Sequence, residues 1–531
     1  MIRELNSSRN ALAPISSLPP ELLGRIFIFV IEKDPDTEYS FSFDFTSWLN
    51  FSYVSQGWRK VALNTPDIWN TPPFLYPTWA RHMLERSKMA HLVVRSDTSL
   101  LVNPTFMKEV FDNHGSRIQE IDLRGLTSSF LSSILENIQP SSLRLRSLNL
   151  SCTHYSLGDD NTDVPVFPAH LLAQPDSLQR LEIDRCAFDC YMQPHPFLTH
   201  LTVQKPPFRP LLSEFVTALS GMPALETLEM MDSLPLATKA IKLGKKVELP
   251  KLSSLHLYSM DNFFEVLNIL EVLVVPCTTR VELSYVKTVS LEPQDTAIPL
   301  SNIGPPLNRF FSCMTGNLEK QSYNALRLYF AGEGPGLSAW RKIQPDMTAN
   351  LPDLSLNFPI YQPDQFLDEI LPCLPLFDLQ TLFIDITLGQ NTILRHFGRS
   401  TTLQTVELQA LELTVVSDFL KALTHKPEGY ERLESAYDSV SFPALQSLNF
   451  NRTTFDNLNL DEMLDCLMER YERGAEVQKL DIRNCRELGD DDIRLLREIV
   501  ADVKWDEIVQ SELVDWDDSC DSDLMGYYDD Y

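Results

Sequence analysis

"PALETLEM", residues 223–230, carries a template in which Leu225, Leu228 and Met230 are apolar and the residues between them are polar or charged. "PKLSSLHL" (250–257), "PALQSLNF" (443–450) and "PFLTHLTV" (196–203) read the same way. The last two apolar positions alternate with exposed ones, the period of a half-buried strand. Without its proline the pattern recurs at "LRSLNL" (145), "LQRLEI" (178), "LQTLFI" (379), "LQTVEL" (403) and "VQKLDI" (477), and in weaker form at "IQEIDL" (118), "YNALRL" (323) and "LPDLSL" (351). So short a strand cannot bury its apolar face alone, so neighbouring copies must stack into a continuous core. Between templates lie helix-like stretches with apolar residues at three- and four-residue spacing: 214–223, 364–375, 417–427 and 460–474. The fold class expected is α/β, a curved array of alternating strands and helices.

First template positions 198, 225 and 252 are 27 apart, and 323, 351 and 379 are 28 apart. That spacing resembles the leucine-rich repeat, whose period is about 20–29 residues. The resemblance implies a curved solenoid over 89–505. It also implies a concave face lined by residues flanking the buried strand positions, among them Arg180, Glu182, His200, Glu229, His256, Tyr258, Arg327, Tyr329, Phe383, Lys479 and Arg483. As a set these mix aromatics with both charges, which suits a protein or peptide substrate. Between 278 and 323 two registers compete, "TTRVEL" (278–283) and "VKTVSL" (286–291), and 425–442 reads as a projecting insertion.

Upstream, "ISSLPPELLGRIFIFV" (15–30) places Leu22, Leu23, Ile26, Phe27 and Val30 on one stripe of a helix. Its prolines suit a helical first turn, with Ser17 as a cap. The set Leu18-Pro19-x-Glu21-Leu22-Leu23-x-x-Ile26-Phe27, then Val54-Ser55-x-x-Trp58-Arg59-x-x-Ala62 and Pro66-x-x-Trp69, resembles the F-box, as does the following "MLERSKMAHLVVRS" (83–96), which is similar to F-box proteins of mushroom-forming fungi. The insertion 32–48 departs from the pattern and leaves the middle helix, near Trp48-Leu49-Phe51, unaligned. The resemblance implies a small helical module that docks on the Skp-family adaptor, and through it cullin, of a ubiquitin ligase. Leu18, Pro19, Leu22, Leu23, Ile26, Phe27, Val54 and Trp58 would form or close that contact. The same stripe read without the resemblance is a helical cap on the end of a repeat array.

The organisation expected is a flexible N-terminus (1–14), the F-box (15–70), a linker helix region (71–88), the solenoid (89–505) and an acidic tail (506–531). Trp505–Tyr531 holds ten Asp or Glu and no Lys or Arg. The whole chain of 531 residues has a formal charge of −28, which disfavours binding to phosphate backbones. Nine scattered cysteines without a C-x-x-C fit a reducing, cytoplasmic or nuclear compartment. No signal segment or membrane span is expected: the most apolar later run, 263–275, is short and carries Glu265 and Glu271.

No P-loop, G-x-S-x-G or H-E-x-x-H appears. "GEGPG" (332–336) reads as a loop, and Cys186-x3-Cys190-x4-His195 has poor zinc spacing. Cys186 and Cys485 instead fall where leucine-rich repeats place Asn or Cys. No catalytic, cofactor-binding or metal-binding residue is expected. The function implied is a substrate receptor of a Skp–cullin–F-box ubiquitin ligase. Its alternatives are a non-catalytic interaction scaffold and a metabolite-sensing repeat protein.

Overall fold

The computed structural model describes residues 14–32, 47–96, 103–135, 144–152, 177–187, 194–237, 246–260, 262–286, 303–316, 322–331, 334–343, 350–358, 363–409, 413–425, 440–455 and 457–506. The chain is mixed α/β. It divides into two compact units, Met1–Leu228 and Glu229–Tyr531. The division falls inside a strand. The acidic tail past 506, most of the insertion 425–442 and residues 287–302 lie outside the described residues.

The first unit opens with four helices, α1 (Pro20–Glu32), α2 (Phe51–Val54), α3 (Gln56–Asn64) and α4 (Pro77–Arg86). Then come β1 (Leu92–Ser96), α5 (Pro104–His114), β2 (Ile118–Leu126), α6 (Ser128–Leu135), β3 (Ser147–Cys152), β4 (Arg180–Asp184), β5 (His200–Gln204) and α7 (Leu212–Ser220). Strands β1 to β5 are neighbours in chain order, and their ladders are parallel. Inward residues alternate with half-exposed ones along β3, β4 and β5. The division cuts β6 (Thr227–Met231).

The second unit holds β8 (Ser254–Ser259), α8 (Phe263–Val272), β10 (Arg280–Tyr285), α9 (Gly304–Cys313), β11 (Ala325–Ala331), β12 (Gly334–Trp340), β13 (Leu354–Asn357) and α10 (Pro363–Ile370). It continues with β14 (Thr381–Asp385), α11 (Gln390–Phe397), β15 (Thr405–Gln409), α12 (Leu413–Thr424), β16 (Ser447–Asn451), α13 (Asn457–Glu472), β17 (Lys479–Asp481), α14 (Asp490–Ile499) and β18 (Asp502–Lys504). Its strand order is β8-β10-β13-β12-β11-β14-β15-β16-β17-β18. A separate two-residue pair joins β7 (Val247–Glu248) to β9 (Leu273–Val274).

Every template puts its last two apolar positions on a strand, except that Ile482 of "VQKLDI" falls one residue past β17. The competing registers resolve toward "TTRVEL", which becomes β10. The repeats also share a turn that no template announces. Arg185, Lys205, Asp232, Arg452 and Asn484 all have positive φ, between 41° and 62°. Each is the seventh residue after the first apolar position of its template. The next residue turns inward and is buried at Cys186, Ser233, Thr453 and Cys485.

Two expectations about 323–379 fail. The templates at 323, 351 and 379 were expected on successive neighbouring strands, but β11 pairs directly with β14, and β13 lies against β10 instead. Between β13 and β11 stands β12, antiparallel to both. "GEGPG", expected as a loop, contributes Gly334, Pro335 and Gly336 to this fully buried strand. Only residues 332 and 333 separate β11 from β12. So short a link permits a hairpin but not a parallel crossover. A Cβ on Gly336 would meet the Asn357 side-chain oxygen at 2.6 Å and the Tyr329 ring at 2.9 Å, so any larger residue there must displace one of these side chains.

Candidate functional site

The helices of the first unit enclose an aromatic core. Leu23, Phe27, Phe51, Ala62, Ile68, Trp69 and Met83 are buried, with Trp58, Val61 and Trp79 packed against them. Phe27 stacks on Phe51 with ring centroids 4.2 Å apart and lies 5.2 Å from Trp58. Such ring pairs add to plain area burial. Trp69 donates its indole N–H to the Ala62 carbonyl at 2.9 Å, and Arg86 lies over the Trp69 ring at 4.6 Å. Ser55 starts α3: its hydroxyl accepts from the Trp58 backbone N–H at 3.1 Å. Gly24 lets α1 close on Thr65, whose hydroxyl oxygen would lie 2.9 Å from an added Cβ.

One stripe of α1 was expected to serve the contact, and the structure splits it. Leu23 and Phe27 are 5% and 1% exposed, and they belong to the core. Leu22, Ile26 and Val30 are 47%, 39% and 51% exposed along the neighbouring flank of the same helix. Pro19 and Val54 are also exposed, whereas Leu18 and Trp58 are half-buried. Pro19, Leu22, Ile26, Val30 and Val54 are thus exposed, whereas Leu23 and Phe27 belong to the core that holds these helices together. Exposed Leu, Ile and Val side by side on one helix are unusual for a surface with no partner.

The expected substrate residues sort by unit. In the first, Arg180 pairs with Glu182, Asn149 donates to Glu182, and Ser151 donates to Asp184 at 2.8 Å. His200 is half-buried beside the Thr199 hydroxyl at 2.8 Å. In the second unit, register joins His256, Glu282, Ser355, Ser338, Arg327, Phe383, Glu407, Asn449 and Asp481 into one row across eight ladders. Arg327 pairs with Asp385 at 3.1 Å and lies over the Tyr329 ring at 5.7 Å. The Tyr329 hydroxyl donates to Asn357 at 2.9 Å. Glu229 is half-buried, and Lys479 is exposed.

Tyr258 departs from expectation, because it is buried rather than presented on this row. Arg483 lies just past β17 and is tied back to Asp481 at 2.7 Å. Sequence reasoning did not single out Glu407 or Asn357. Burial pushes the Glu407 carboxyl above the ordinary range, against the hydrogen bond it receives from Asn449. Membership of the same row is the signal that would have found Glu407.

Among the described residues no three His, Cys, Asp or Glu side chains converge as a metal site, and no helix is long and apolar enough to cross a membrane. Of the drawn Cys–Cys–His set, Cys190 lies outside the described residues. His195 is buried with neither ring nitrogen hydrogen-bonded, and burial pushes its pKa down. Cys186 meets another thiol instead. No protein-family model matches the chain, and no curated protein matches it.

Proposed function

We propose that the chain is the substrate-recognition subunit of a Skp–cullin–F-box ubiquitin ligase. Residues 15–70 hold a Skp-family adaptor, and cullin through it. The strand–helix repeats form a leucine-rich-repeat solenoid whose concave face holds a protein substrate. In this role no residue of the chain does covalent chemistry on the substrate. The receptor raises the effective concentration of substrate lysines near the conjugating enzyme, so its role is positioning. The place of action is intracellular, in the cytoplasm or nucleus.

The observation that carries this reading is the division of α1. Leu23 and Phe27 build the aromatic core, while Leu22, Ile26 and Val30 stay exposed. A helix used only as a cap would carry polar residues on its free side. The recurring left-handed turn after the strands supports the repeat half of the reading. A second reading, the helical cap, is favoured by one contact: Val93 of β1 donates its N–H to the carbonyl of Asn70, which closes the module.

Co-expression with a Skp-family adaptor separates the two. Wild type should co-purify with the adaptor, and a Leu22→Asp, Ile26→Asp double variant should not. The thermal melt of that variant should stay close to wild type, since exposed substitutions cost about 0.5 kcal/mol or less. Phe27→Asp, by contrast, should unfold the module outright. A stable wild-type monomer that ignores the adaptor leaves the cap reading standing and removes the ligase reading.

A further inference from the structure

Cys152 ends β3, and Cys186 follows β4 by two residues. Both thiols are buried, and their sulfurs lie 3.3 Å apart. They are not register partners, because the β3–β4 ladder ends at Ser151 opposite Asp184. The left-handed Arg185, at φ 55°, turns Cys186 back toward β3, and its guanidinium reaches the Cys152 carbonyl at 3.4 Å. The repeat itself does not require two thiols here. Cys485 holds the same place after β17, and its thiol meets the Phe450 carbonyl at 3.4 Å instead.

We propose that Cys152 and Cys186 are a redox-responsive dithiol, which a small disulfide oxidant of the glutathione type converts to an intrachain disulfide fastening β3 to β4. The sulfurs need to approach by a little over 1 Å, from 3.3 Å to about 2.0 Å. One thiol loses its proton to water, and its thiolate attacks a sulfur of the oxidant. A mixed disulfide forms and one glutathione thiolate leaves. The second thiol likewise loses its proton and attacks the mixed disulfide at the protein sulfur, releasing the second glutathione thiolate. Two thiol hydrogens depart as protons, and the two electrons end on the two glutathione sulfurs.

The neighbouring thiol and burial together push Cys186 well above the ordinary thiol range. Cys186 is therefore slow to react while the strand ends are closed. Both residues sit where the ladder ends, and strand ends open locally before the rest of a sheet. Oxidation should accordingly be slow and limited by fraying of these ends. The disulfide would fix the two strands that carry the Asn149–Glu182 and Ser151–Asp184 pairs on the half-exposed face.

The test uses the full chain, reduced and then equilibrated natively with oxidised glutathione. Free thiols are trapped with N-ethylmaleimide, and the digest is mapped unreduced by mass spectrometry. The expected product links the Cys152 peptide to the Cys186 peptide, and dithiothreitol abolishes it. The oxidised protein should melt above the reduced one, and Cys152→Ser should lose that difference. The proposal falls if both residues stay alkylatable at an oxidant level that cross-links them in the urea-unfolded chain. It falls equally if Cys186 pairs natively with another cysteine.

Discussion

Two stretches of the second unit carry the same template and use it differently. From β14 to β17 each template adds one parallel strand beside the last. From β10 to β14 the chain folds back: β13 returns to β10, β12 runs antiparallel, and β11 meets β14. The template fixes that a strand forms and which side it buries. Its neighbour is set by the link. The long connection from β15 to β16 keeps parallel order because it contains α12 and its ends are pinned. Ser441 donates to the His425 carbonyl at 3.0 Å across the mouth of the insertion. Arg470 of α13 donates to the carbonyls of Leu423, Ser441 and Phe442 at 3.2, 2.8 and 2.9 Å. The two-residue link after β11 has no such freedom.

The largest effect expected from breaking this contrast is at Arg470, which is wholly buried. Burial lowers its pKa to about 10, and its donors face carbonyls rather than a carboxylate. Arg470→Leu strips three buried carbonyls of their partner and should cost about 3–5 kcal/mol in urea unfolding. A cost below about 1 kcal/mol would mean that the insertion is held by something else. Next comes Gly336→Ala, which drives a Cβ into Asn357 and Tyr329 and should cost about 2–3 kcal/mol. The smallest effect is at Gly474, after α13. It has φ 73° and open space around a built Cβ, so Gly474→Ala should cost only about 1 kcal/mol, from backbone conformation alone. Equal costs at the two glycines would deny that the returning strand is packed as described.

Much of this was legible. The alternation in "LQRLEI" or "PALQSLNF" predicts β4 and β16, and the apolar spacing at 364–375 and 460–474 predicts α10 and α13. Three things were not. Gly334 and Pro335 suggest a loop, since Pro lacks a ladder donor and Gly weakens a strand, yet both sit in buried β12. The left-handed turns fall on Arg185, Lys205, Asp232, Arg452 and Asn484, and none of these is the glycine that usually marks such a turn. Within α1, hydrophobicity places Leu22 and Leu23 on one stripe, but only packing against Phe51 and Trp58 separates the buried from the exposed.

The most direct measurement is a pair of cysteine cross-links read by mass spectrometry of the digested chain. Ser284 of β10 stands opposite Asn357 of β13, and the Asn357 amide reaches its hydroxyl at 3.4 Å. Tyr329 of β11 is three strand spacings from β10 in the observed order, roughly 14 Å. Ser284→Cys with Asn357→Cys should form a disulfide under mild oxidation, and Ser284→Cys with Tyr329→Cys should not. The reverse outcome would put the strands in chain order and contradict the returning fold.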